Sequence, residues 1–403
     1  MPESPEKGSP ASQRFVSFLF LLGFFAIFST TLSKNPVLPL FSGALGAGDA
    51  LIGLIAAVSP LAGILFSFPV GVLSDHLGRR RLLIASGLVF LSAPLLYLLI
   101  TDPLWLIPVR FFHGTATAIL GPVISAVIAG RFPERKGEML GQYSSATLVG
   151  RTLAPLAGGV IISSLLVYPG LIPYRAVYLV AATAAVPVLL LTMLYREEQG
   201  GGPLPLLRFS LFRRSFSTFF ADRRLRATAL VDMATYFTFG AIETFLPLLL
   251  LSRGMGAYQT GILFSLQVLV IAGTKPLFGR IADRTDKRLQ ILAGLLLLGC
   301  SAAALPLGSS FPSFLVITSL LGLGMSLSTV ATVAYVADCA RKEQMGASMG
   351  ALSSIMDIGH SAGPLVTGII ISAAGFGAGF LASFLTAAAA CGFFIVAVRD
   401  KVP

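Results

Sequence analysis

A short polar segment with a twin half a chain away constrains this 403-residue sequence more than any other feature. Residues 71–81 read GVLSDHLGRRR, and residues 279–288 read GRIADRTDKR, 208 positions later. Gly71 matches Gly279, Asp75 matches Asp283, and Arg79 and Arg80 match Lys287 and Arg288. Each copy lies between apolar runs long enough to cross a bilayer, about 20 residues per crossing. A lone basic loop would not repeat its Gly and Asp at matching offsets, so the chain reads as one membrane domain built twice. The residue types suit a tight turn at a membrane surface. Gly71 lets two helices approach, Asp75 can accept from the first amides of a neighbouring helix, and the arginines keep the loop cytoplasmic.

Only 12% of the residues are charged and 55% are apolar, with a mean hydropathy of +0.86, whereas soluble domains carry about a quarter charged residues. The expected fold is all-α and polytopic, with twelve transmembrane helices in two pseudo-symmetric six-helix bundles, 14–195 and 226–398. Spans are expected near 15–41, 51–73, 82–101, 104–130, 138–166, 175–195, 226–251, 258–279, 289–309, 312–338, 345–373 and 376–398. A net charge of +11 raises nucleic acid as a partner, but its placement argues otherwise. With both termini inside, 23 of the 29 Lys and Arg fall on the cytoplasmic side and only Arg175 and Arg253 outside, as the positive-inside rule requires.

Residues 1–13, rich in Pro, Ser and Glu, read as a disordered cytoplasmic tail, and 399–403 as a second tail. The linker 196–225 carries Phe209, Phe212, Phe216 and Phe219 with arginines between them, the pattern of a basic amphipathic helix on the inner membrane surface. Cys300, Cys339 and Cys391 have no spacing for a metal site or a disulfide. No Gly-rich phosphate loop is present. No enzyme activity, cofactor or metal is expected.

Charges at depth mark candidate sites. Span 1 ends with Lys34 and Asn35 before Pro36 and Pro39, Lys34 either snorkelling outward or facing a cavity. Glu243 and Pro247 are the repeat mates of Asn35 and Pro39. Span 4 holds Arg110 and His113, and Arg151 lies near the middle of span 5. Asp357 lies near the middle of span 11, three residues before His360, and a carboxylate beside an imidazole on one helix face can share a proton. A structural ion pair of Asp357 with Arg151 is the alternative. Lys275 is expected to snorkel inward, Asp338 to cap its helix or pair with the adjacent basic loop, and Asp232 in span 7 could line the inner vestibule but is assigned no role.

Gly150, Ala154 and Gly158 recur every four residues in span 5 beside Pro155 and Gly159. Span 11 repeats the pattern at Gly359, Gly363 and Pro364. Such a small-residue stripe allows close backbone contact, here expected as a seam between the two repeats.

The first polar segment resembles the signature of the major facilitator superfamily between helices 2 and 3, G-x-L-[SA]-D-[RK]-x-G-R-[RK], at Gly71, Leu73, Ser74, Asp75, Gly78, Arg79 and Arg80. It departs at His76, and the second copy departs at Asp286, where Gly78 stands in the first. PVLP at 36–39 resembles the family's first-helix motif. LIPVRFFHGTATA resembles its fourth-helix motif at Leu106, Arg110, Gly114 and Ala118, with His113 in place of Gln. Residues 141–159 fit the antiporter pattern G-x8-G-x3-G-P-x2-G-G except at Ala154. The resemblance covers nearly the whole chain. It implies a monomeric transporter in a prokaryotic inner membrane, exporting drug-sized amphiphilic or organic-anion substrates by exchange with protons, with Arg110 in proton coupling. Glu243, Asp357 and His360 are the further proton-coupling candidates, and Lys34, Asn35, His113 and Arg151 the substrate-cavity candidates. A proton-coupled symporter taking up a small metabolite or organic anion remains open, as does a non-transporting membrane sensor.

Overall fold

In the computed structural model of the chain, residues 10–195, 219–340 and 345–398 are described, the side chains at 10–12, 68, 71–73, 75–76 and 345–347 excepted. Eleven helices among the described residues are long and apolar enough to cross a membrane. The first crossing is two elements, α1 (Pro10–Leu32) and α2 (Val37–Ala44), separated where Pro36 cannot continue a helix. Then come α3 (Asp49–Leu77), α4 (Arg79–Tyr97), α5 (Leu106–Arg131), α6 (Lys136–Ser164) and α7 (Ile172–Leu194). The second half contains α8 (Arg223–Ser252), α9 (Ala257–Arg284), α10 (Lys287–Ala304), α11 (Phe311–Cys339) and α12 (Met345–Val398). Gly375 interrupts α12 with φ 79° and ψ 173°, a conformation glycine adopts without strain, so its two arms make two crossings and bring the total to twelve.

Two compact units emerge. One contains residues up to Leu45 and Leu61–Leu207, the other Gly46–Pro60 and everything from Arg208. The core of the first is built by Phe15, Leu19 and Leu22 of α1 with Leu83, Phe90, Leu120 and Ile124. The core of the second centres on Phe245, Leu246, Leu298, Phe314, Leu321 and Phe380. Large apolar side chains such as Leu190, Leu269 and Leu385 are exposed, which a bilayer solvates and water would not. α8 is the most enclosed helix: 78% of its most apolar window is buried, against 33% for α9, so charges on α8 must find partners within the protein.

Most of the proposed amphipathic stripe, Phe209, Phe212 and Phe216, lies outside the described residues, as do 1–9 and 399–403 of the expected tails, whereas 10–13, expected as tail, begin helix α1. Phe219 is buried in the second unit against Leu225, Ala229, Val336 and Leu352. The basic run Arg223, Arg224 and Arg226 is the first turn of α8 rather than linker. Asp222 sets that start, its carboxylate accepting from the amides of Arg224 at 2.7 Å and Leu225 at 3.2 Å.

The small-residue stripes pack first inside each unit, and the span 11 stripe also meets the first repeat: a Cβ on Gly53 would collide with the carbonyl of Pro364, and Gly368 lies against Asp49 and Gly53. A Cβ on Gly150 would lie 2.7 Å from Phe24 O and 3.0 Å from Phe28 N, and one on Gly158 within 3.3 Å of Leu32 and Pro36, all at α1 and the turn after it. On α12, Cβ atoms at Gly359 and Gly363 would collide with the carbonyls of Met233 and Phe237 on α8. Gly150 and Gly359 are repeat mates and each meets the first span of its own half, so one helix contact is made twice. Small residues every fourth position bring backbones together wherever the partner is, and for Gly150, Gly158, Gly359 and Gly363 the partner is the first span of each half or the turn after it. Ala154, Pro155, Gly159 and Pro364 are buried along the same stripes. Farther along α12, Ser361 Oγ donates to Ala57 O at 2.7 Å, and Gly368 lies against Asp49, tying residues 46–60 to the second unit.

Candidate functional site

The duplicated motif forms two turns of different chemistry. α3 stays helical through Asp75 to Leu77, and the reversal is made by Gly78 alone at φ 88°, which a side chain rarely adopts. Its mate Asp286 has φ −67° and caps α10 by accepting from Arg288 N at 2.9 Å. Both residues are N-caps, so the departure exchanges one cap for another. Gly71 lies in α3 and its side-chain surroundings, like those of Asp75, fall outside the described residues. Around Gly279 nothing stands within 4 Å of a Cβ position, so no close approach depends on it, and Asp283 is exposed.

The basic residues after the turns bind the ends of other helices. Arg80 donates to Met193 O in the last turn of α7 at 3.2 Å, and its mate Arg288 to Val398 O at the end of α12 at 3.4 Å. Each repeat thus places a guanidinium on the negative end of its final span. Lys287 pairs with Asp338 at 2.8 Å, so the partner of Asp338 comes from the first residue of α10 rather than from the adjacent loop. The mate of Asp338 is Gly130, where a Cβ would meet the guanidinium of Arg79 at 2.9 Å. Arg80→Ala and Arg288→Ala should each cost about 0.3–1 kcal/mol, the usual worth of a cation at a helix C-terminus. Lying in different units, the two should add in the double variant, as melting temperatures of the purified protein will test.

Deeper in the second unit, two candidates meet. His360 Nε2 and Glu243 Oε2 are 2.8 Å apart, with side chains 20% and 12% exposed. Local packing explains the contact. Gly359 and Gly363 draw α12 onto α8, and Gly240 leaves room for the imidazole, whose Cδ2 would stand 2.9 Å from a Cβ there. The ring then lies across α8 and reaches Glu243 one turn on, flanked by Phe239 at 5.8 Å and Tyr236 at 6.3 Å. His360 is engaged by Glu243 and not by its helix neighbour Asp357, which makes no hydrogen bond or ion pair among the described residues. Spacing along one helix cannot reveal a partner 117 residues away.

A second polar contact went unassigned in the sequence. Asp232, 4% exposed, accepts from Thr332 Oγ1 at 3.2 Å, and one turn on Thr235 and Ser328 are linked at 2.9 Å. The signal was available: a carboxylate inside a span is rare unless it has a task.

In the first unit Arg110 and His113 are buried, 2% and 1% exposed, beside Tyr97 and Tyr178. Arg110 thus does not reach the outer headgroups. Lys34 is half-buried and Asn35 buried in the turn between α1 and α2, while Arg151 is exposed on α6 and Lys275 on α9. Among the described residues no group of His, Cys, Asp or Glu could hold a metal ion.

The sequence model of the Major Facilitator Superfamily matches residues 19–311 and 228–403. An uncharacterized MFS-type transporter of Methanocaldococcus jannaschii is 23% identical over 337 residues, covering 83% of this chain and 86% of that protein. The multi-drug resistance efflux pump PmrA of Streptococcus pneumoniae is 23% identical over 377 residues, 90% of this chain and 91% of the pump. Among solved structures, a bacterial homolog of the human lysosomal transporter Spinster, inward-facing and unoccupied, superimposes with a TM-score of 0.78 at 17% identity, covering 98% of each chain. With its duplicated turn motif, its twelve crossings and a family match along most of its length, this chain belongs to the Major Facilitator Superfamily and is a multi-pass membrane transporter.

Proposed function

We propose that this transporter exports drug-sized amphiphilic or organic-anion substrates in exchange for protons, its two six-helix halves alternating between inward-open and outward-open states. The observation that carries the reading is the Glu243–His360 pair at 2.8 Å in the most enclosed span. A carboxylate and an imidazole in contact can hold one proton between them and release it when the two helices part. PmrA, similar along nine-tenths of this chain, is named for multidrug efflux.

Asp232 fits as a second proton-handling group on the same helix. Thr332 has one hydroxyl proton and two acceptors in reach, Asp232 Oδ1 at 3.2 Å and Thr329 O at 3.1 Å. A protonated Asp232 can donate to Thr332 Oγ1 and leave that proton for Thr329, so both bonds are made; an ionised Asp232 can only accept. Asp232 and Glu243 lie about three turns apart on one face of α8. The protein would act as a monomer in a prokaryotic inner membrane, both termini cytoplasmic.

A specific observation favours the second reading, uptake of an organic anion with protons. α4, α5 and α7 contain Arg110, His113 and Arg175 and no carboxylate at all. Inside-out vesicles with an acidic lumen separate the two. Substrate accumulation in the lumen supports export by exchange, accumulation driven by the opposite gradient supports symport, and flux that a protonophore leaves unchanged defeats both.

A further inference from the structure

We propose that Arg110, His113 and Tyr178 form a binding site for a small anion inside the first unit, near the ends of α4, α5 and α7. Proton coupling plays no part in the inference. It starts from charge. Arg110 is a guanidinium with 2% exposure, always ionised, and the helices that enclose it offer no carboxylate. An uncompensated buried cation costs several kcal/mol. The C-terminal end of α4, at Tyr97, contributes about half a negative charge, which offsets only part of it.

The hydrogen bonds point the same way. The Arg110 guanidinium lies beside the hydroxyl of Tyr97. That hydroxyl stands 3.4 Å from His113 Nδ1 and can donate there. The imidazole proton then resides on Nε2 as a donor. Nε2 of His113, Nε of Arg110 and the hydroxyl of Tyr178 are all buried without a partner. All three surround one ring: Tyr178 stacks on Tyr97 at 4.4 Å, the His113 ring is 5.9 Å away, and the Arg110 guanidinium lies beside the Tyr97 hydroxyl. One turn before Tyr178, Arg175 donates to Ile100 O at 3.3 Å and leaves its own Nε buried without a partner. Buried donors rarely stay unsatisfied. Water could accept from them but would leave the charge uncompensated, whereas a chloride-sized anion or a small carboxylate answers both needs at once.

The test is thermal unfolding of the purified full-length protein in sodium gluconate, chloride, bromide and acetate at equal ionic strength. Chloride and bromide should raise the melting temperature saturably, by roughly 2 °C or more at concentrations well above the dissociation constant. Tyr178→Phe, which removes a single donor, and Arg110→Gln should abolish the rise, while Arg253→Gln in the other unit should keep it. Acetate matching chloride would extend the site to carboxylate-bearing substrates, and acetate behaving like gluconate would restrict it to halide-sized anions. No rise above gluconate, or a full rise in Tyr178→Phe and in whatever folds of Arg110→Gln, overturns the proposal. Bromide-soaked crystals should show anomalous density beside Arg110; its absence at saturating bromide counts equally against the site.

Discussion

Glu243→Gln is expected to leave a folded, membrane-inserted protein that no longer accumulates substrate against a gradient. Gln keeps the size of Glu and can still hydrogen-bond His360, so the α8–α12 contact survives while the ionisable carboxylate is lost. A gradient of one pH unit stores about 1.4 kcal/mol per proton, so one-for-one exchange sustains about tenfold accumulation. The variant should bring that ratio down to about one in reconstituted vesicles, while counterflow of labelled substrate, which needs no proton gradient, continues. His360→Asn should do the same. Because the two side chains act as one unit, the double variant should be no worse than either single, a non-additivity that independent groups would not show. Asp357→Asn is the discriminating comparison. Should it flatten accumulation while Glu243→Gln retains it, the proton belongs to Asp357 and the 2.8 Å pair is structural.

What could be read from residues alone follows from where the physical information lies. The duplication was legible because Gly, Asp and basic residues recur at matching offsets, and the turn after span 11 because apolar helices must be interrupted somewhere; Gly375 interrupts α12 between the two expected spans. The partner of His360 was not legible. Spacing nominates neighbours three and four residues away, and Asp357 met that rule, but the contact is decided by how closely α8 and α12 approach. The helix ends held by Arg80 and Arg288 were hidden for a related reason: their acceptors are backbone carbonyls more than 100 residues distant, which carry no residue signature. The small-residue stripes were legible, but not that Gly150, Gly158, Gly359 and Gly363 meet the first span of their own half or the turn after it while Pro364 and Gly368 meet the other repeat. A stripe of glycines states that a backbone comes close without stating whose.

That last point yields the second large effect. Gly363→Ala should be among the most damaging single-methyl changes in the chain, because the added Cβ would strike the backbone carbonyl of Phe237, which cannot rotate aside. Overpacking of a rigid site costs about 1–3 kcal/mol and occasionally more, and contact with backbone places this case at the upper end. Gly350→Ala, where nothing stands within 4 Å, is the matched control and should be silent. The repeat sharpens the expectation. The mate of Gly363 is Ala154, buried in α6, so the first unit already accommodates a methyl at this rung and the second does not. α12 is therefore drawn closer to α8 at the rung below His360, and the imidazole reaches Glu243 because of that approach. Gly363→Ala should accordingly act on two readouts, lowering the melting temperature and, in whatever fraction inserts, reducing proton-driven accumulation with both titratable groups intact. Full coupling in a destabilised variant would show that the close contact serves only stability, and the Glu243–His360 geometry would then need another cause.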